Sequence, residues 1–394
     1  MNREQSLISL LEGTLERIVE DRNNLHEIPE LGHEEFLTCA YIRKQLDELG
    51  IQYEVHGTGT IAYIPSETPT EGAIAFRSDI DGLPILEETD NPRPSKHVGR
   101  MHACGHDGHM SMLLGLARLL ASGALRIKKN IVLIFQPAEE GPGGAQILID
   151  TGFMQRYDVR EVHGCHLHPS VEQGKYAVCA GPFMAQTADV DITIRSTSAH
   201  GAMPHLGTDG ILVAAQLIQA LQTIVSRNLD PVDSGVVTVG TIHGGERRNV
   251  IAKEVKLELT IRALRQEVFE QIKTRLSELC TGIAAAHGVE MTFEAGKSYP
   301  PVYNDPGLTE EFFRLNPEAH HIAPQMIAED FSAYQRVVPG VFFYVGVRNE
   351  AKGRVYPLHS ASFGFEPEAL LGGPKAYLRL LAARDAIAMK GDQD

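Results

Sequence analysis

The chain has 394 residues, 43% hydrophobic and 22% charged, the proportions of a globular protein with length for two or three domains at roughly 100–200 residues each. Thirty-six basic against fifty-one acidic side chains leave a net charge of −15 with histidine neutral. Such a surface repels phosphate backbones and anionic lipid, and no apolar run approaches the roughly 18 residues that a membrane helix needs, so neither nucleic acid nor membrane is an expected partner.

The first residues, MNREQSLISLLEGTLER, carry Leu7, Leu11, Leu15 and Ile18 at helical spacing, which predicts one amphipathic helix rather than a secretory leader. Five cysteines, Cys39, Cys104, Cys165, Cys179 and Cys280, are too few and of the wrong parity for a disulfide scaffold. They point to a reducing compartment, hence a cytoplasmic location. From about 72 to 180 strand and helix patterns alternate. Residues 72–77 (GAIAFR) read as a strand, 107–121 as a helix, 129–135 (KNIVLIF) as a buried strand, 143–150 as a helix and 160–167 (REVHGCHL) as a strand. That rhythm predicts a mixed, largely parallel sheet flanked by helices, with ligands at the ends of its strands. From about 184 the order becomes β-α-β-β-α-β. The strands are 189–195, 236–244, 255–263 and 289–295, and the helices 208–227 and 266–287. This split βαβ order predicts a small ferredoxin-like α+β domain. The expected division is therefore an α/β domain over 1–183 and 296–394, with 184–295 inserted. A core strand at 341–347 and a last helix from about 366 complete the first domain.

Histidine, cysteine and glutamate cluster near the strand ends. Residues 101–110 read MHACGHDGHM, 135–141 read FQPAEEG, 163–169 read HGCHLHP, and Leu358-His359-Ser360 follows the last core strand. Each run alone is unremarkable, but a parallel sheet gathers its strand ends at one edge. Thiolate, imidazole and carboxylate are the donors that transition metals take. Cys104, His106, Glu140, His166 and His359 make five, too many for one tetrahedral ion. They suit a pair of ions about 3.5–4 Å apart, an arrangement that recurs in hydrolases, with one glutamate of the Glu139–Glu140 pair left over as a general base.

These runs resemble the aminoacylase and carboxypeptidase-G-like metallopeptidases, and within them the amidohydrolase branch. The resemblance extends over LHEIPELGHEEF (25–36), RSDIDGLPI (77–85), AHGAMPH (199–205), RNVI (248–251) and AEDFS (328–332), so nearly end to end. It implies a catalytic α/β domain and an inserted lid that also forms dimers or higher homo-oligomers. It implies Cys104, His106, Glu140, His166 and His359 as metal ligands, Cys104 standing where many relatives place a bridging aspartate. Glu139 is implied as the general base and Asp81 as the residue that orients a ligand or the base. In the lid, His200 is implied as an oxyanion partner, and Asn249 and Arg262 as holders of the substrate carboxylate. The cofactor implied is two divalent ions, zinc by default and manganese, cobalt or nickel as alternatives. The implied reaction is hydrolysis of an N-acyl amino acid or dipeptide to a carboxylate and a free amine. The chain departs from the pattern in three places. Asp79 stands where relatives outside the branch carry histidine, the lid run STSAHGAMPH lacks a glycine pair, and Leu167-His168 replaces a polar-tryptophan pair. Two other activities are compatible with the residues: a metallo-dipeptidase or carboxypeptidase of the same fold, and a cysteine hydrolase using Cys104.

Overall fold

The computed structural model describes residues 3–391. The chain divides into two compact units, one of residues 1–181, 303–323 and 330–394, the other of residues 182–302 and 324–329.

The first unit is built on an eight-stranded mixed sheet. Its strands run in the order Gln52–His56, Gly59–Ile64, Asn130–Gln136, Ala73–Asp79, Val159–Glu172, Gly340–Arg348, Tyr176–Val178 and Ala319–His321. The four central strands, Asn130–Gln136 to Gly340–Arg348, are mutually parallel, whereas the Gln52–Ile64 hairpin joins one side antiparallel. IVLIF (131–135), AIAF (73–76) and VFFYV (341–345) are buried throughout, as strands covered on both faces must be. The helix His106–Ala121 places Met110, Leu113, Leu114, Leu116 and Ala117 in the same core.

Three local expectations change. The expected single N-terminal helix is two, Arg3–Glu12 and Leu15–His26. Gly13 is a poor helix former, and the Thr14 hydroxyl donates to the Leu11 carbonyl at 2.7 Å, which ends the first helix. The last helix starts later than expected, at Gly372, behind a 3₁₀ turn Pro367–Leu371 that opens on proline. The strand carrying His166 runs on to Glu172, so His166 lies within it rather than at its end.

The second unit has the expected β-α-β-β-α-β order. Its antiparallel sheet runs Gly235–Gly244, Glu254–Ala263, Gln186–Arg195, Glu290–Tyr299. Ala188, Val190, Ile192 and Ile194 alternate inward from one strand. Val213, Leu217 and Leu221 of the helix Gly210–Thr223 join this core, with Phe269, Ile272 and Leu276 of the helix Gln266–His287. Asp209 caps the first of these helices by accepting from the Ile211 and Leu212 amides. With its continuation to Asn228 this helix is long and apolar enough, by length and composition, to cross a membrane. Its apolar stripe is instead part of this core, and Gln216, Gln219 and Gln222 face solvent.

Candidate metal centre

Three connections and one strand of the first unit deliver the donors. After the strand Ala73–Asp79 the chain passes through Met101–Gly105 into the helix that opens at His106. Gly105 turns there at φ 88°, a left-handed conformation that a side chain would resist, and it sets Cys104 and His106 on either side of the bend. The connection after Asn130–Gln136 supplies Glu139 and Glu140 through another left-handed residue, Ala138, at φ 54°. His166 projects from its strand. The His359 loop is tied to the Cys104 loop by the His359 amide, which donates to the Ala103 carbonyl at 2.9 Å.

The five expected donors converge. The Cys104 Sγ lies 3.4 Å from His166 Nε2 and 3.3 Å from His359 Nε2. His359 Nε2 is 3.0 Å from Glu140 Oε1, which is 4.0 Å from His106 Nε2. Ligand atoms of Cys104, His106 and His166 lie within 4.8 Å of one another, as do those of Cys104, Glu140 and His359, and of His106, Glu139 and Glu140. His106 Nε2 is buried and, among the described residues, makes no hydrogen bond, and the buried Glu140 Oε1 has only the ion-pair contact with His359. Buried polar atoms left this way need a partner, and a divalent cation fits a set made of one thiol, three imidazoles and carboxylates.

The electrostatics also call for a cation. Burial, reinforced by Glu140 and Glu139, pushes the Cys104 thiol well above its ordinary range. Burial opposes charge on His106, but Asp79, Asp81 and Glu140 outweigh it and pull the imidazole up to about 10. His166, buried beside His109, is driven well below its usual range. A metal supplies the positive charge that turns such a thiol into a thiolate ligand and leaves the imidazoles neutral.

The surrounding polar residues orient the donors. His106 Nδ1 is 2.9 Å from the Asp81 carbonyl and 3.2 Å from Asp81 Oδ1, and Asp81 Oδ2 accepts from the Glu140 amide at 2.9 Å. Asp81 thus holds one imidazole and one glutamate together. Beneath them, Asp79 Oδ1 pairs with His109 Nδ1 at 2.7 Å, and His109 Nε2 accepts from the Leu167 amide at 2.9 Å. That bond fixes the strand next to His166. Arg77 donates to Asp79 at 2.8 Å, to Gln136 at 2.9 Å and to Asp330 at 3.0 Å, every member buried. Sequence reasoning gave Arg77, His109 and Asp330 no role. All three lie in runs that carry the resemblance, and that was the available signal.

The three expected lid residues belong to the second unit. His200 bridges to Val250 and accepts from the Ala202 amide at 3.1 Å; it and Asn249 are exposed. Arg262 is half-buried in its strand and donates to the Met326 carbonyl at 2.8 Å.

Thiol, imidazole and carboxylate donors gathered at the edge of an α/β sheet are the equipment of a metallohydrolase, and comparison with known proteins gives the class a family. Residues 75–383 match peptidase family M20/M25/M40. The chain belongs to that family and is a metal-dependent hydrolase acting on amide bonds. It is 39% identical over 364 residues to an N-acetyldiaminopimelate deacetylase of Listeria monocytogenes, covering 90% of this chain and 96% of that one. It is 38% identical to an enzyme of the same name from Bacillus cytotoxicus over 88% of this chain and 93% of that one. Among solved structures, the Bacillus subtilis YXEP protein is described as a dinuclear metal binding peptidase of the M20 family. It superposes with a TM-score of 0.82 at 30% identity, over 95% of this chain and 99% of that one. A chain from methicillin resistant Staphylococcus aureus superposes with a TM-score of 0.91 at 32% identity, over 98% of this chain and 100% of that one.

Proposed function

We propose that the protein is a dimetal deacetylase that cleaves an N-acyl amino acid, N-acetylated substrates first, to a carboxylate and a free amino acid. The observation that carries this reading is the Glu139–Glu140 turn beside Cys104, His106, His166 and His359. Those four and Glu140 would hold two divalent ions, zinc by default, with manganese, cobalt or nickel as alternatives. Bound there, the ions would act as Lewis acids and make water acidic enough to ionise near neutral pH.

The remaining work falls to the chain. Glu139 takes a proton from the attacking water and returns it to the departing amine. Asp81 keeps His106 and the Glu140 backbone in register. His200 serves as a donor to the developing oxyanion, and Asn249 and Arg262 hold the substrate carboxylate, a task for which the guanidinium fork is suited. On this reading residues 1–183 and 296–394 form the catalytic domain, and 184–295 the lid and dimerisation domain. Homodimer formation is supported by the edge position of the strand Gly235–Gly244 and by exposed Ile211, Leu212 and Ile242 in the same unit. A cytoplasmic location is supported by the small, odd number of cysteines, all five of them buried. A cysteine hydrolase fits less well, because burial and two carboxylates raise Cys104, the reverse of what a thiolate nucleophile requires.

The test is amine release from N-acetyl amino acids including N-acetyldiaminopimelate, longer N-acyl amino acids and dipeptides, using protein stripped of metal and reloaded with one metal at a time. Metal-dependent turnover fastest on an acetylated amino acid supports the reading. Turnover confined to dipeptides replaces it with the dipeptidase alternative, and turnover that survives chelation overturns it.

A further inference from the structure

The segment 27–35, between the helices Leu15–His26 and Phe36–Glu48, has no part in the chemistry above. It nevertheless packs against both loops that carry the carboxylates. The Glu30 carbonyl accepts from the Gly82 amide at 2.7 Å, next to Asp81. A Cβ on Gly32 would come 2.5 Å from the Gly141 carbonyl oxygen and 2.9 Å from the Ala138 Cβ, so only glycine lets the segment sit directly on the Ala138–Gly141 turn. Glu35, with no exposed surface, reaches the same turn. Its Oε1 accepts from the Ala138 amide at 2.8 Å, and its Oε2 accepts from the Thr58 hydroxyl at 2.7 Å.

Ala138 is where that anchor matters. A left-handed conformation is unfavourable for a residue with a Cβ, so it persists only where its surroundings enforce it. Glu139 is the next residue, and on its far side the Glu140 amide is held by Asp81 at 2.9 Å. Glu139 is thus bracketed, with one neighbouring amide pinned by Glu35 and the other by Asp81.

We propose that Glu35 is a positioning residue for catalysis: by holding the Ala138 amide it fixes the turn from which Glu139 works. This rests on the reading of Glu139 as the general base. The role belongs to the carboxyl oxygen as an acceptor at a set reach, and Thr58 fixes the other oxygen so that the group cannot swing away.

The experiment compares Glu35→Ala, Glu35→Asp and Glu35→Gln, each alone and combined with Glu139→Gln, in metal-loaded protein. It measures kcat and KM on the best substrate of the panel above, metal content, and folding by circular dichroism. Glu35→Asp keeps the carboxyl group but withdraws the oxygen by one carbon–carbon bond, and it serves should Glu35→Ala not fold. Glu35→Gln keeps an oxygen for the Ala138 amide. A displacement of about 1 Å costs on the order of 100-fold in rate. The expectation is therefore a 10- to 100-fold fall in kcat for the Ala and Asp variants, KM within about twofold, metal content unchanged, and Glu35→Gln within about threefold of the parent. In the Glu139→Gln background, loss of Glu35 should cost nothing further. Unchanged kcat in Glu35→Asp, an equal loss in Glu35→Gln, or an additive loss with Glu139→Gln overturns the proposal. Full activity of Glu139→Gln alone overturns the underlying reading instead, so the two failures are distinguishable.

Discussion

His26 sits between two carboxylates, and that arrangement makes stability depend on pH in a calculable way. Its Nδ1 is 2.7 Å from Asp107 Oδ2 and its Nε2 is 3.0 Å from Glu87 Oε1, all three side chains nearly or fully buried. Arg22 adds a second bond to Asp107 at 2.8 Å. Burial and Arg22 oppose charge on His26, but the hydrogen bonds to Asp107 and Glu87 prevail and raise its pKa. Burial likewise pushes Glu87 up. Hydrogen bonds from His26, the Ser95 amide and Thr89 outweigh it and hold the carboxyl at about 2, against an ordinary 4.5. The ionised Glu87 therefore stabilises the fold by about 3 kcal/mol at neutral pH, since every tenfold change in proton affinity between the folded and unfolded chain is worth about 1.4 kcal/mol. A depressed carboxyl contributes fully above its unfolded value and loses that contribution as pH falls through 4.5 towards 2. By about pH 3 less than half of it should remain. Glu87→Gln should accordingly be less stable than the parent by about 3 kcal/mol at about pH 7 and by under half that at about pH 3. Urea unfolding followed by circular dichroism at a series of pH values gives the difference directly. A gap that stays constant between those two pH values would refute the assignment of charge to this pair. A raised histidine has the opposite sign: its contribution is present below 6.5 and is lost as pH rises through the folded value. His26→Gln should therefore flatten the alkaline limb.

Two further outcomes follow from the site. Glu139→Gln should lower kcat by about 10²–10⁴-fold, the usual yield of a positioned general base, while metal content by elemental analysis stays at the parent level. Asp330→Ala should cost about 3–5 kcal/mol in chemical unfolding. It takes one carboxylate partner from Arg77, which keeps Asp79, and removes the acceptor of Gln136 and of the Gly144 and Ala145 amides, which donate to Asp330 at 3.0 Å each.

The convergence of these side chains was legible in the sequence because their chemistry is rare and their positions are strand-linked. Cys104, His106, Glu140, His166 and His359 each follow or interrupt a strong apolar strand, and parallel strands bring such positions together. The inserted α+β unit was legible from alternation alone, as Val190, Ile192 and Ile194 illustrate. What supports the donors was harder to read. Arg77 and Asp330 are 253 residues apart, and no periodicity predicts that an arginine in a buried strand will find that carboxylate. Asp79 and His109 look like an ordinary strand end and a helix residue until the Leu167 amide closes the chain of hydrogen bonds. The segment 27–35 has no apolar pattern, since its work is done by glycine fit and by carboxyl groups accepting backbone amides. The N-terminal break escaped because Leu7, Leu11, Leu15 and Ile18 keep helical spacing across Gly13, and periodicity cannot see a side chain that ends a helix by bonding to a carbonyl.

On the proposed function, amide cleavage depends on two ions held by these five residues, and one titration tests that dependence most directly. Zinc is added stepwise to the stripped protein while bound metal per chain and amine release from an N-acetyl amino acid are followed together, with Cys104→Ala and His359→Ala as parallel samples. The expected result is saturation at two ions per chain, turnover that rises with their binding, and loss of both in the two variants. Full turnover in the stripped protein, or turnover unchanged in the variants, would contradict it.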